Sequence, residues 1–296
     1  MDPAVPCVAT GMTHPAEDPQ PPGLGKIGIF AQVSKLSGAF AHEVEQLGYG
    51  AIWIGGSPGD DLAIVDELLG ATESLVVATG IVNIWKDDAR TIAAAHRRIT
   101  GTYRGRFLLG VGVGHPEATS NYTRPYKALV DYLDVLDGEG VPVHERALAA
   151  LGPKVLRLSA DRSAGAHPYL TTPEHTRAAR DVLGAGVLLA PEQMLVLDAD
   201  PRRARALGRT TVKDYLGLTN YVSNLRRLGF TEDDVAGDGS DRLVDELIGH
   251  GDAATAAERV TAHLQAGADH VPVQLLTDDD AHLLDGLRAL AAHLIA

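Results

Sequence analysis

Short apolar runs alternate along the chain with longer stretches of helical periodicity. The runs KIGIFAQV (26–33), AIWI (51–54), LVVATGIVNI (75–84) and RFLLGVGV (106–113) are apolar on both sides, as strands buried on two faces are. Helical stretches separate them over 38–47, 60–74, 88–103 and about 122–137. The second half gives weaker strand patterns at Ala147–Leu151, Ser163–Leu170 and Gly186–Leu197, and a clear one at Val271–Leu276. Helix starts are marked by Gly152-Pro153, Thr172-Pro173 and Asp200-Pro201, since proline at the first helical position gives up only an N–H that lacks a partner there. Residues 202–264 read as several helices, and 280–295 as the last. QLGYGA, VLGAGV and QAGADH each place glycine where a helix closes before the next strand. Eight strands alternating with helices predict an α/β fold closed as a (β/α)₈ TIM barrel, with extra helices between strands seven and eight.

Composition sets limits on this reading. The chain has 296 residues, 45% of them hydrophobic, which suffices for one large core over 26–296. Residues 1–25 hold six prolines and little apolar pattern, and are expected to form a flexible tail. The formal charge of −13, with no basic block, argues against a nucleic-acid or anionic membrane partner. One cysteine and no secretory or spanning run suggest a cytoplasmic protein. The expected partners are a small-molecule substrate and a second copy in a homodimer.

The chemistry clusters at predicted strand ends, where barrel enzymes keep their active sites. FLLGVGVGHPE places Gly110, Gly112 and Gly114 on the fourth strand and its exit, followed by His115. The spacing is Gly-x-Gly-x-Gly in the fourth unit, not the Gly-x-Gly-x-x-Gly of a dinucleotide fingerprint in the first. The glycines would let a flat ligand approach, and His115 could donate a hydrogen bond or a proton. Gly80 interrupts the third strand and Asn83 ends it. Leu151, Gly152 and Lys154 open a helix able to receive an anion. His167 stands at another strand end. Asp60–Asp61, Asp87–Asp88 and Asp278–Asp280 lie at helix starts, where capping explains them. No metal-ligand spacing, nucleophile elbow or Walker loop is present.

RFLLGVGVGHPE, the following NYTRPY, LGPKVLRLSADRSAGAHPYL and DYLGLTNYVSNLRRLGF together resemble the bacterial luciferase-like superfamily, nearest to its actinobacterial branch that uses the deazaflavin coenzyme F420. The resemblance implies an oxidoreductase with F420, or alternatively FMN, at the barrel mouth. It implies hydride transfer to or from an unidentified small organic substrate. The alternatives are an FMN-dependent monooxygenase and a non-catalytic deazaflavin- or flavin-binding protein. It further implies a non-prolyl cis peptide at Gly80–Ile81 against the ring, with Asn83, Gly112, Val113, Gly114 and His167 beside the cofactor. Leu151, Gly152 and Lys154 would meet its phosphate end, and His115 would be the acid/base group. The second strand ends Ile54-Gly55-Gly56-Ser57, without the polar acid/base pair of the family's dehydrogenases. Substrate cover is expected from 200–249 rather than from the short 138–146 segment.

Overall fold

The computed structural model describes residues 21–115 and 124–295. Parallel strands and helices alternate from β1 (Ile27–Gln32) through α1 (Gly38–Gln46), β2 (Ala51–Gly55), α2 (Ala63–Gly70), β3 (Val76–Gly80), β4 (Val82–Asn83), α3 (Ala89–Thr102) and β5 (Phe107–Gly112). They continue with α4 (Pro125–Gly138), β6 (Arg146–Leu148), α5 (Pro153–Arg162), β7 (Gly165–Ala166), α6 (Pro173–Leu183), β8 (Leu188–Leu189) and β9 (Gln193–Val196). Then come α7 (Pro201–Leu216), α8 (Thr219–Arg227), α9 (Glu232–Val235), α10 (Asp241–Leu247), β10 (Ile248–His250), α11 (Ala253–Gln265), β11 (Val271–Leu275) and α12 (Leu283–Leu294).

The neighbour order runs β9-β11-β1-β2-β3-β5-β6-β7-β8, with every pairing parallel. β8 and β9 are two halves of one strand. The first half pairs with β7 and the second with β11, which closes the ring. This is the expected α/β barrel with the expected extra helices α7–α10 after its seventh strand. The additional strand β10 joins β9 where the sixth strand has left it, and the helical reading of 202–264 did not contain it.

Local chemistry explains the joins. Thr172 and Asp200 accept hydrogen bonds from His175 and Arg202 N–H, as their cap positions predict. The fifth strand ends at Leu148 rather than Leu151, and the sixth spans only Gly165–Ala166. The predicted tail lies mostly outside the described residues, but its end is part of the fold. Leu24 is buried with Trp53 and Phe30, and the Gly25 carbonyl accepts from His270 Nδ1 at 2.9 Å. Residues 121–123 of the NYTRPY segment are also outside the described residues.

The third strand departs most from regular pairing. Ala78 lies opposite Leu108 and Val82 opposite Val111, so three residues face two. Thr79 stitches the gap. Its hydroxyl donates to the Gly110 carbonyl and accepts from Gly110 N–H, both at 2.8 Å. A side chain at position 110 would stand 1.9 Å from the Thr79 carbonyl oxygen, so only glycine permits this approach. The Gly80–Ile81 peptide within the bulge is cis.

Candidate active site

The bulge opens at the carboxyl end of the strands, beside a cavity of about 320 Å³. Gly80, Ile81, Asn83, Gly114, His115 and His167 line it, together with Phe30, Gln32, Gly56, Ser57, Lys86, Ala149, Tyr169, Tyr215 and Tyr221. A second cavity of about 250 Å³ shares Gly114 and Ala149 with the first. Val113, Leu151, Gly152 and Lys154 line this one, with Tyr126 and Asn220. The structure thus brings the residues singled out from the sequence to one two-part cleft, except Gly112. That residue lines neither cavity. Its free side faces the Ala149 methyl and Ile81, which makes it wall.

Rings surround the larger compartment. His167 stacks on Trp53 with centroids 4.1 Å apart, and Phe30 and Tyr169 follow at 5.2 Å. Tyr215 stands 4.8 Å from Tyr221, and His115 lies 5.4 Å from Tyr221. Tyr215 ends α7 and Tyr221 belongs to α8, so the insertion between strands seven and eight covers the mouth. Tyr169 anchors this ring cluster by donating to Gln274 Oε1 at 2.9 Å. Gly114 has φ +56°, and a side chain there would press on the Asn83 amide, so the fourth-strand exit stays flat. Asn83 is held by the Trp85 N–H, which donates to its Oδ1 at 3.0 Å.

The electrostatics are uneven. His167 Nδ1 lies 2.7 Å from the Ala190 carbonyl, which can only accept, so Nδ1 carries the proton. Nε2 is therefore an acceptor; it is buried without a protein partner in the cavity wall beside Gly80. Burial pushes the His167 pKa down to about 4, and the ring is neutral near pH 7. Among the described residues no carboxylate lines either compartment, whereas Lys86 and Lys154 do. Lys154 Nζ sits 4.0 Å above the Tyr126 ring at the start of α5, and the buried Asn220 Oδ1 there has no protein partner. In a chain of net charge −13 this basic, carboxylate-free cleft is suited to an anionic ligand. A further cavity, about 660 Å³, lies between α7 and α12. Asp198, Asp278 and Asp285 line it together with Arg203 and His282, so it carries the carboxylates that the two-part cleft lacks.

Behind the tyrosines stands Glu192, which the sequence analysis did not single out. It is 1% exposed, its Oε2 accepts from Leu170 N–H at 3.2 Å, and burial pushes its pKa up to about 8. Its position between two halves of a strand left no periodic signal. Tyr215 and Tyr221 carry no site signal in the sequence either, because their helices meet the barrel mouth only in three dimensions, and Tyr169 lies in the loop after β7.

Residues 33–139 match the family model of luciferase-like monooxygenases. The barrel superimposes on an F420-dependent secondary alcohol dehydrogenase solved with an F420–acetone adduct, with a TM-score of 0.70 and 14% identity, over 92% of this chain and 99% of that one. The fold is luciferase-like. The same luciferase-like barrel is similar to the coenzyme F420-dependent tetrahydromethanopterin reductase of Methanopyrus kandleri (TM-score 0.66, 14% identity, 92% and 98% of the chains). It is equally similar to the FMN-bound oxygenating constituent of 3,6-diketocamphane monooxygenase from Pseudomonas putida (TM-score 0.66, 13% identity, 92% and 98%). No curated protein matches the chain. By their names these structures are a dehydrogenase, a reductase and a monooxygenase, two of them dependent on F420 and one bound to FMN.

Proposed function

We propose that the protein is an oxidoreductase that binds coenzyme F420 and transfers hydride between it and a small organic substrate. The observation that carries this reading is the two-part cleft. A compartment walled by aromatic rings and glycine joins, through Gly114 and Ala149, a compartment where Lys154 and the start of α5 meet. The residues fit such a group. Gly80 and Gly114 present backbone without side chains to the larger compartment, and His167 Nε2 offers a ring an acceptor. Lys154 and the Gly152 start of α5 suit an anionic tail. When bound, a deazaflavin supplies a two-electron hydride acceptor or donor; the protein supplies position and protons. His115 lines the substrate end and is the proposed acid/base group.

FMN would meet the same compartments, and the family model matched over 33–139 is that of monooxygenases, which makes flavin the second reading. Anaerobic fluorescence titration with F420 and with FMN separates the two. Saturable F420 binding in the micromolar range with weaker FMN binding is expected. Tight FMN binding with none of F420 would move the protein to the oxygenase class. Binding of either without turnover of any substrate would leave a carrier.

A further inference from the structure

Asp87 and Asp88 precede α3, and the two carboxylates have parted company. Asp88 caps the helix, accepting from Arg90 and Thr91 N–H at 3.0 and 3.1 Å. Asp87 does not cap. It is 8% exposed, and its Oδ2 accepts the Ser57 hydroxyl at 3.0 Å across from the end of β2. Among the described residues no cation is paired with it. Ser57 lines the larger compartment and takes the left-handed backbone conformation, φ +51°. Asn83 N–H donates to Ser57 Oγ at 3.4 Å. The Ser57 proton is thus directed at Asp87 and one lone pair at Asn83, which leaves the second lone pair for a donor in the cavity.

We propose that Ser57 and Asp87 are a second proton-handling pair of this site, with Ser57 touching substrate and Asp87 holding the proton behind it. The inference rests on the hydride-transfer reading. As the substrate is oxidised, its O–H or N–H proton passes to Ser57 Oγ while the Ser57 proton passes to Asp87 Oδ2. The O–H or N–H bonding pair becomes the new π bond, and the neighbouring C–H electrons leave as hydride to the oxidised deazaflavin. Reduction runs the same transfers backwards. The pair occupies the end of the second strand, where Ile54-Gly55-Gly56-Ser57 offers no histidine.

The test uses trifluoroethanol, an acidic small O–H donor, followed by ¹⁹F NMR on full-length wild type, Ser57→Ala, Ser57→Thr and Asp87→Asn, with F420 affinity measured in parallel. Ser57→Ala and Asp87→Asn are expected to keep F420 affinity within about twofold and to weaken trifluoroethanol about tenfold, the first by removing the accepting hydroxyl and the second by removing the carboxylate that makes it a stronger acceptor. Ser57→Thr should restore it. With simple alcohols that the wild type oxidises, both losses should lower kcat about 100-fold with a smaller change in KM. Unchanged trifluoroethanol binding in the variants, or none in the wild type, overturns the pair. So does an F420 affinity that collapses in step with it, because that marks a structural role. Wild type that binds trifluoroethanol through Ser57 but not F420 keeps the pair and removes the F420 reading.

Discussion

The Nδ1 N–H of His167 donates to the Ala190 carbonyl at 2.7 Å, and this one bond fixes what the ring shows the cavity. With Nδ1 protonated and Trp53 stacked on the ring, Nε2 is an acceptor that cannot turn away. Phenylalanine at this position would keep the stacking and lose the acceptor. His167→Phe is expected to weaken binding of the ring cofactor by about tenfold, or roughly 1.4 kcal/mol, through a donor left without its partner. Fluorescence titration measures this. Equal affinity in wild type and variant would show that Nε2 meets no cofactor atom.

His115 lines the same compartment, with its ring against Tyr221. If it handles a substrate proton, His115→Ala should lower kcat by about 10²–10⁴-fold and leave cofactor affinity nearly unchanged. Stopped-flow reduction of the bound cofactor with an accepted substrate gives the number. A variant that turns over at the wild-type rate would confine His115 to a packing role.

Much of this site was legible in the sequence because barrel topology is written in alternation. Once KIGIFAQV and its successors are strands, their ends are the mouth, and Gly80, Gly114, His115 and His167 follow by position. Asn83, Leu151, Gly152 and Lys154 join them on the cleft. What sequence could not give was contact between elements distant in the chain. Tyr169, Tyr215 and Tyr221 come from three elements. Ser57 and Asp87 are 30 residues apart, and Asp87 carries the same helix-start signature as its capping neighbour. Gly112 lies behind the cleft wall. It shares the spacing of Gly114, but the Ala149 methyl and Ile81 cover it.

Lys154 lines the smaller compartment, where the proposed function places an anionic tail. Its ammonium rests over Tyr126, so neutralising it should leave the α5 start in place. Lys154→Gln is expected to cost about tenfold in affinity for F420, and little for a deazaflavin lacking the phosphate-bearing tail. The wild-type preference for the full cofactor should also shrink with added salt, because the lysine is partly open to solvent. Equal losses for both ligands would place the tail elsewhere.

Glu192 should write its burial into the stability of the protein. Burial raises its pKa from 4.5 to about 8, so between those values the folded chain holds a proton that the unfolded chain has released. Folding takes up a proton there, and stability falls as pH rises through this window. The buried histidines act in the other direction. His167 and His270 are pushed down to about 4 and His263 to about 3, so the unfolded chain binds protons first as pH falls below about 6.5, and stability falls with it. Glu192→Gln keeps the shape and an acceptor for Leu170 N–H but cannot ionise. Its Tm should match or lie slightly below that of the wild type at pH 5 and exceed it by a few degrees at pH 8.5, as calorimetry across that range would show. A difference in Tm that stays constant from pH 5 to 8.5 would mean that Glu192 does not hold its proton in the folded state.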